Sequence, residues 1–116
     1  MISFVINGDE WVLLYVEPYS PYLIDRTGKY TIGCTDPVTK TVYISKYLNK
    51  TLMRKVIIHE LCHCVMVSYN YIGYLSKTVY PWQLINVEEL ICDLIATNIG
   101  GLQDLTDYIL RKSGLR

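Results

Sequence analysis

The apolar run from Val56 to Val67, interrupted by His59-Glu60-Leu61-Cys62-His63, constrains this chain more than any other feature. Val56, Ile57, Ile58, Leu61, Val65, Met66 and Val67 fall on nearly every side of the helix that the spacing predicts over Leu52 to about Ser68. A helix that is apolar all round is buried, and polar side chains inside it are costly unless partnered. The only 2 histidines of the chain are His59 and His63. Four residues apart, their imidazoles project from one side of the helix, one turn apart. That spacing suits two ligands of one tetrahedral Zn²⁺. Glu60 lies about 100° round the helix, within reach of a metal-bound water but outside the ligand set. The pattern is H-E-x-x-H. The competing reading is a chance pair of core or surface histidines around an unrelated glutamate.

A chain of 116 residues fits one compact domain, expected to span 1–116. Lys+Arg and Asp+Glu are both 11, which gives no pull toward nucleic acid or an anionic membrane. No run reaches the roughly 18 apolar residues of a membrane span. Met1-Ile2-Ser3-Phe4 lacks the basic and apolar regions of a secretory leader, so a cytoplasmic location is expected. The 4 cysteines, Cys34, Cys62, Cys64 and Cys92, form no Cys-x-x-Cys pair and are expected as free thiols.

The first part of the chain reads as β: Ile2 to Ile6, a hairpin signal at Asn7-Gly8, then Trp11 to Val16, Tyr30 to Cys34 and Thr41 to Ser45. Tyr19 to Lys29 reads as loop with a turn at Thr27-Gly28. The second part reads as α. After the motif helix comes an aromatic linker, Tyr69 to Trp82. A helix over about Val87 to Ile99 is expected, with Asn86 as N-cap and Gly100-Gly101 as its stop. A last helix, about Leu102 to Lys112, is expected to close the chain. Strands first and helices after predict an α+β domain, a small twisted sheet of three or four strands packed against the motif helix and two further helices.

A catalytic zinc takes three protein ligands and one open position. With no third histidine, the ligand must be Asp, Glu or Cys, and Glu89 fits best. Glu89 and Asp93 share a helix face, and such an aspartate can orient a ligand histidine through its far nitrogen. Alternatively, Glu89 closes a capping box with Asn86 and Asp93 is solvated. Glu88, about 100° away, is expected on an apolar or peripheral face, with little effect on the metal. Cys62 and Cys64 point away from the histidine face and read as core; Cys92 is a weaker alternative ligand.

His59-Glu60-Leu61-Cys62-His63 followed by Glu89-x-x-x-Asp93 resembles the gluzincin arrangement. Gly33-Cys34-Thr35-Asp36, then Thr41-Val42-Tyr43-Ile44-Ser45, then the motif helix, is similar to short ImmA/IrrE-like metallopeptidases of bacteria and phages. The resemblance implies a zincin fold with a strand beside the cleft that pairs with extended substrate, and Thr41 to Ser45 would match that strand. It also implies cleavage of a specific protein target.

The expected chemistry is peptide hydrolysis with Glu60 as the base. A second electrophile is needed for the carbonyl oxygen, and with no histidine left a tyrosine is the natural choice, among Tyr69, Tyr71, Tyr74 and Tyr80. These residues and Trp82 either wall the cleft or cover the core. The chain is expected to be a monomer whose partner is a protein or peptide substrate, with no nucleic acid and no membrane. The alternative is a catalytically inactive zincin-like binding module that keeps zinc for structure. A cysteine-based zinc knuckle fails on spacing.

Overall fold

The computed structural model describes residues 1–114 and is α+β, a four-stranded mixed sheet with three helices. Strands β1 (Ile2–Ile6) and β2 (Asp9–Val16) form an antiparallel hairpin. Its turn places Asn7 at φ 48° and Gly8 at φ 82°, the doubly positive pair that matches the twist of the flanking strands. Strand β4 (Thr41–Ser45) runs parallel to β2, and β3 (Gly33–Asp36) pairs antiparallel with β4, giving the order β1-β2-β4-β3.

β4 therefore has both edges occupied, and the expectation that Thr41 to Ser45 pairs with substrate does not hold. The strand at that side of the sheet is β3. It starts at Gly33, later than expected, because Tyr30 instead bridges Ile24 and Thr31 bonds back to Leu23.

Trp11, Leu13, Val42 and Ile44 alternate along β2 and β4 onto one buried face and meet Val56 and Cys64 of helix α1 (Lys50–Ser68). That alternation is the period-2 signature of a half-buried sheet. The Trp11 indole donates to Ser68 Oγ at 2.9 Å, and Asn7 Nδ2 to the Ser68 carbonyl at 2.9 Å. These two bonds fix the hairpin to the end of α1. Asn49 starts α1 two residues before the expected Leu52, its side chain accepting from the Leu52 amide at 2.8 Å.

The helical half differs from expectation in two places. The aromatic linker contains a short helix, α2 (Tyr71–Ser76), set off from α1 by Asn70 at φ 57°. Beyond it, one helix, α3 (Leu84–Lys112), replaces the expected pair. It begins early because Pro81–Gln83 already form a 3₁₀ turn that runs into it, so Asn86 lies inside the helix rather than at its cap. Gly100 and Gly101 keep helical φ and do not stop it. A glycine ends a helix by adopting positive φ; without that, each costs only about 1 kcal/mol relative to Ala, and α3 runs on through Leu102 and Gln103. No helix among the described residues is long and apolar enough to cross a membrane.

Candidate metal centre

α1 and α3 pack side by side, and each brings one acidic or basic face to the contact. His59, Glu60 and His63 come from α1, and Glu88, Glu89 and Asp93 from the first turns of α3. His59 Nδ1 lies 2.9 Å from Asp93 Oδ1, and His63 Nδ1 makes a close hydrogen bond to Glu88 Oε2. Each carboxylate can accept the Nδ1 proton and so fix both ring tautomer and ring orientation.

With both Nδ1 atoms engaged, the two Nε2 atoms face each other at 3.1 Å. Glu89 completes the group: its Oε2 is 3.1 Å from His59 Nε2 and its Oε1 is 3.2 Å from His63 Nε2. Ligand atoms of His59, His63 and Glu89 all lie within 4.8 Å of one another, so this group can hold a metal ion. The donor set fits one. Two imidazole nitrogens and a carboxylate converge on one point, where a cation or shared protons must lie between them. Around them, Glu60, Glu88, Glu89 and Asp93 outnumber the one guanidinium bonded to the set, Arg26, and a dication reduces that excess.

Glu60 is set differently. It is 6 % exposed, and its Oε2 lies 3.9 Å from His59 Nε2, beside the ligand group rather than in it. β3 supports it from the other side. Thr35 Oγ1 donates to Glu60 Oε1 at 2.8 Å. At Gly33, an added Cβ would come 2.7 Å from Val56 Cγ1 and 3.1 Å from Glu60 Cγ. The absence of a side chain is what lets the carboxylate lie against the strand.

Burial raises the Glu60 pKa above the ordinary carboxylate value, although the Thr35 hydrogen bond and the charges of His63 and His59 pull it back. His63 is also raised. Burial opposes its charge, but the hydrogen bond to Glu88 and then the charges of Glu60 and Glu89 outweigh burial. Glu88 is lowered: burial pushes it up, and its bonds to His63 and Arg26 outweigh that.

Glu88 corrects the sequence reading. It is 4 % exposed and bonded to both His63 and Arg26. The buried stripe of α3 is Glu88, Cys92 and Ala96, one residue per turn. The face is indeed apolar, but a carboxylate within it requires partners, and that requirement was the signal available in the sequence. Arg26, Thr35 and Gly33 were missed because only the fold brings residues so distant in sequence to α1 and α3.

Cys92 is fully buried, with Sγ 3.8 Å from Met66 Sδ, and belongs to the packing between the helices rather than to the ligand group. All four cysteines are free. The tyrosines also lie elsewhere. The cleft over the metal group has a volume of ≈ 820 Å³ and no tyrosine among its described lining residues. Tyr71 and Tyr74 line a separate apolar cavity of ≈ 330 Å³ between the three helices, and Tyr80 stacks on Trp82 at 4.7 Å. α2 turns the aromatic linker toward that outer cavity, leaving Asn70 and Ile72 as its contribution to the cleft. No protein-family model, no curated protein and no solved structure matches the chain.

Proposed function

We propose that the protein is a zinc-dependent peptidase acting on a specific protein target, with His59, His63 and Glu89 as ligands and Glu60 as the base. One observation carries the reading: an oriented carboxylate, Glu60, stands beside the convergent nitrogens of His59 and His63 without joining them. The donor set of two imidazoles and one carboxylate is that of a catalytic rather than a structural zinc site. Bound there, Zn²⁺ supplies Lewis acidity and lowers the pKa of a coordinated water to about 7.

The residues of the chain do the rest. Glu60 takes the proton of the attacking water on Oε2, the oxygen left free by Thr35, and passes it to the leaving amine. Its raised pKa brings it toward the working pH of such a base. Asp93 and Glu88 hold the two imidazoles in place. The edge strand β3 offers backbone groups to an extended peptide beside the cleft. The reading implies a monomer in the cytoplasm that needs neither nucleic acid nor membrane.

The second reading, a binding module that keeps zinc for structure, has no use for a carboxylate held by Thr35 and accommodated by Gly33. The experiment is a pair of pull-downs from a lysate with Glu60→Gln and wild type, read by mass spectrometry. A protein retained intact by Glu60→Gln and cut by zinc-loaded wild type is expected. A retained protein that wild type binds equally and never cuts would favour the binding module.

A further inference from the structure

The tyrosines that the sequence offers as the second electrophile do not line the cleft, and both histidines are occupied. Two cationic side chains line the cleft, Lys55 and Arg26, and of these Arg26 is bonded to carboxylates of the metal group. Arg26 Nη1 donates to Glu88 Oε1 at 3.0 Å and Nη2 to Glu89 Oε1 at 3.3 Å. A guanidinium carries five N–H donors, so these two bonds leave others unspent. The side chain is 43 % exposed and lines the cleft.

Its backbone is fixed. Arg26 occupies the turn of a small hairpin closed by the Ile24–Tyr30 bridge and by the Gly28 amide donating to the Asp25 carbonyl at 3.0 Å. Asp25 Oδ1 accepts from the Thr27 amide at 2.8 Å, the Thr27 hydroxyl at 2.6 Å and the Lys29 amide at 3.1 Å. A structural counter-ion for Glu88 alone would need neither the contact to Glu89 nor the open side. Preorganised donors of this kind are what developing charge on a carbonyl oxygen requires.

The geometry points to Arg26 as a catalytic residue that donates to the oxygen of the scissile carbonyl as negative charge develops there, an assignment that rests on the peptidase reading. Water adds its oxygen to the carbonyl carbon, and the C–N bond breaks with its electron pair leaving on nitrogen. The proton reaches that nitrogen through Glu60, and Arg26 keeps its own protons throughout.

The test uses the zinc-loaded full chain, as wild type, Arg26→Met and Arg26→Lys, with two probes followed by calorimetry. Acetohydroxamate engages the metal alone. N-phosphoryl-leucinamide also presents a second anionic oxygen where the carbonyl oxygen would sit. Arg26→Met is expected to weaken the phosphoryl probe about 10²–10³-fold, with acetohydroxamate affinity and zinc content within about threefold of wild type. Arg26→Lys, which keeps the charge but not the forked pair of bonds, should lose less and serves as the comparison if Arg26→Met releases zinc. Equal losses for both probes would make Arg26 a support for Glu88 and Glu89 only and overturn the assignment. So would an unchanged phosphoryl affinity in Arg26→Met. If wild type holds zinc but binds neither probe, the peptidase reading itself fails, a result distinct from either of those.

Discussion

Glu88 Oε2 hydrogen-bonds Nδ1 of His63, and the same carboxylate accepts from Arg26 through its other oxygen. A ligand histidine loses its orientation when such a partner is removed. Glu88→Ala is therefore expected to weaken zinc affinity on the order of 10–100-fold, and Asp93→Ala by a similar factor through His59. Glu89→Ala, which removes a ligand atom, should be far more severe. Competition with a chromogenic chelator orders the three variants. Affinity in Glu88→Ala equal to wild type would remove Glu88 from the centre.

Gly33→Ala should dissociate hydrolysis from metal binding. The added methyl meets Val56 Cγ1 at 2.7 Å and Glu60 Cγ at 3.1 Å, so the core side chain and the base must both shift. Overpacking of this kind costs about 1–3 kcal/mol. Expected in a urea titration and an elemental analysis are a lower midpoint, full zinc content and loss of turnover on a validated substrate. Undiminished turnover would mean that the position of Glu60 against β3 does not matter.

In chelator-treated protein, stability should fall as pH rises through and above the ordinary histidine value of about 6.5. The raised His63 pKa means that its contribution is complete below the unfolded value of about 6.5 and lost as pH passes the higher folded value. Glu60, also raised, acts in the same direction: the folded chain holds its proton more tightly and loses stability as the carboxyl ionises. Glu88, lowered, contributes above the unfolded value of about 4.3 and is lost only on stronger acidification. Urea midpoints across that range check the slope; a rising one contradicts the signs.

Gly100→Ala and Gly101→Ala should each stabilise the protein, by up to about 1 kcal/mol. Both lie inside α3 with nothing within 4 Å of an added Cβ. Two separate helices joined at these glycines would instead lose stability on substitution. Thermal unfolding of the two variants separates the cases.

The sheet was largely legible because its signals are local. Asn7-Gly8 fixes a hairpin by backbone conformation alone, and Thr41 to Ser45 alternates cleanly. The motif helix was legible for the same reason, three residue types at a fixed spacing on an apolar background. Gly100-Gly101 misled because a glycine pair has two outcomes, and here neither glycine takes the positive φ that would end the helix. Glu88 misled differently: its helix face was read correctly, but what that face meets depends on how α3 crosses α1. Thr35 stands in a stretch that carries the resemblance but has no role in it, and Arg26 carries no local mark, since both roles arise only when strand and hairpin are placed against α1 and α3.

The ligand atoms straddle two helices, with His59 and Glu89 separated by 30 positions in the chain. An ion held there joins α1 to α3 in the folded chain and has no such site in the unfolded one. On the proposed reading, free zinc thus becomes a thermodynamic variable of the fold: above its dissociation constant, each tenfold rise adds about 1.4 kcal/mol. Where the metal is scarce, the joint between α1 and α3 would lose that contribution, making proteolytic lifetime a readout of metal supply.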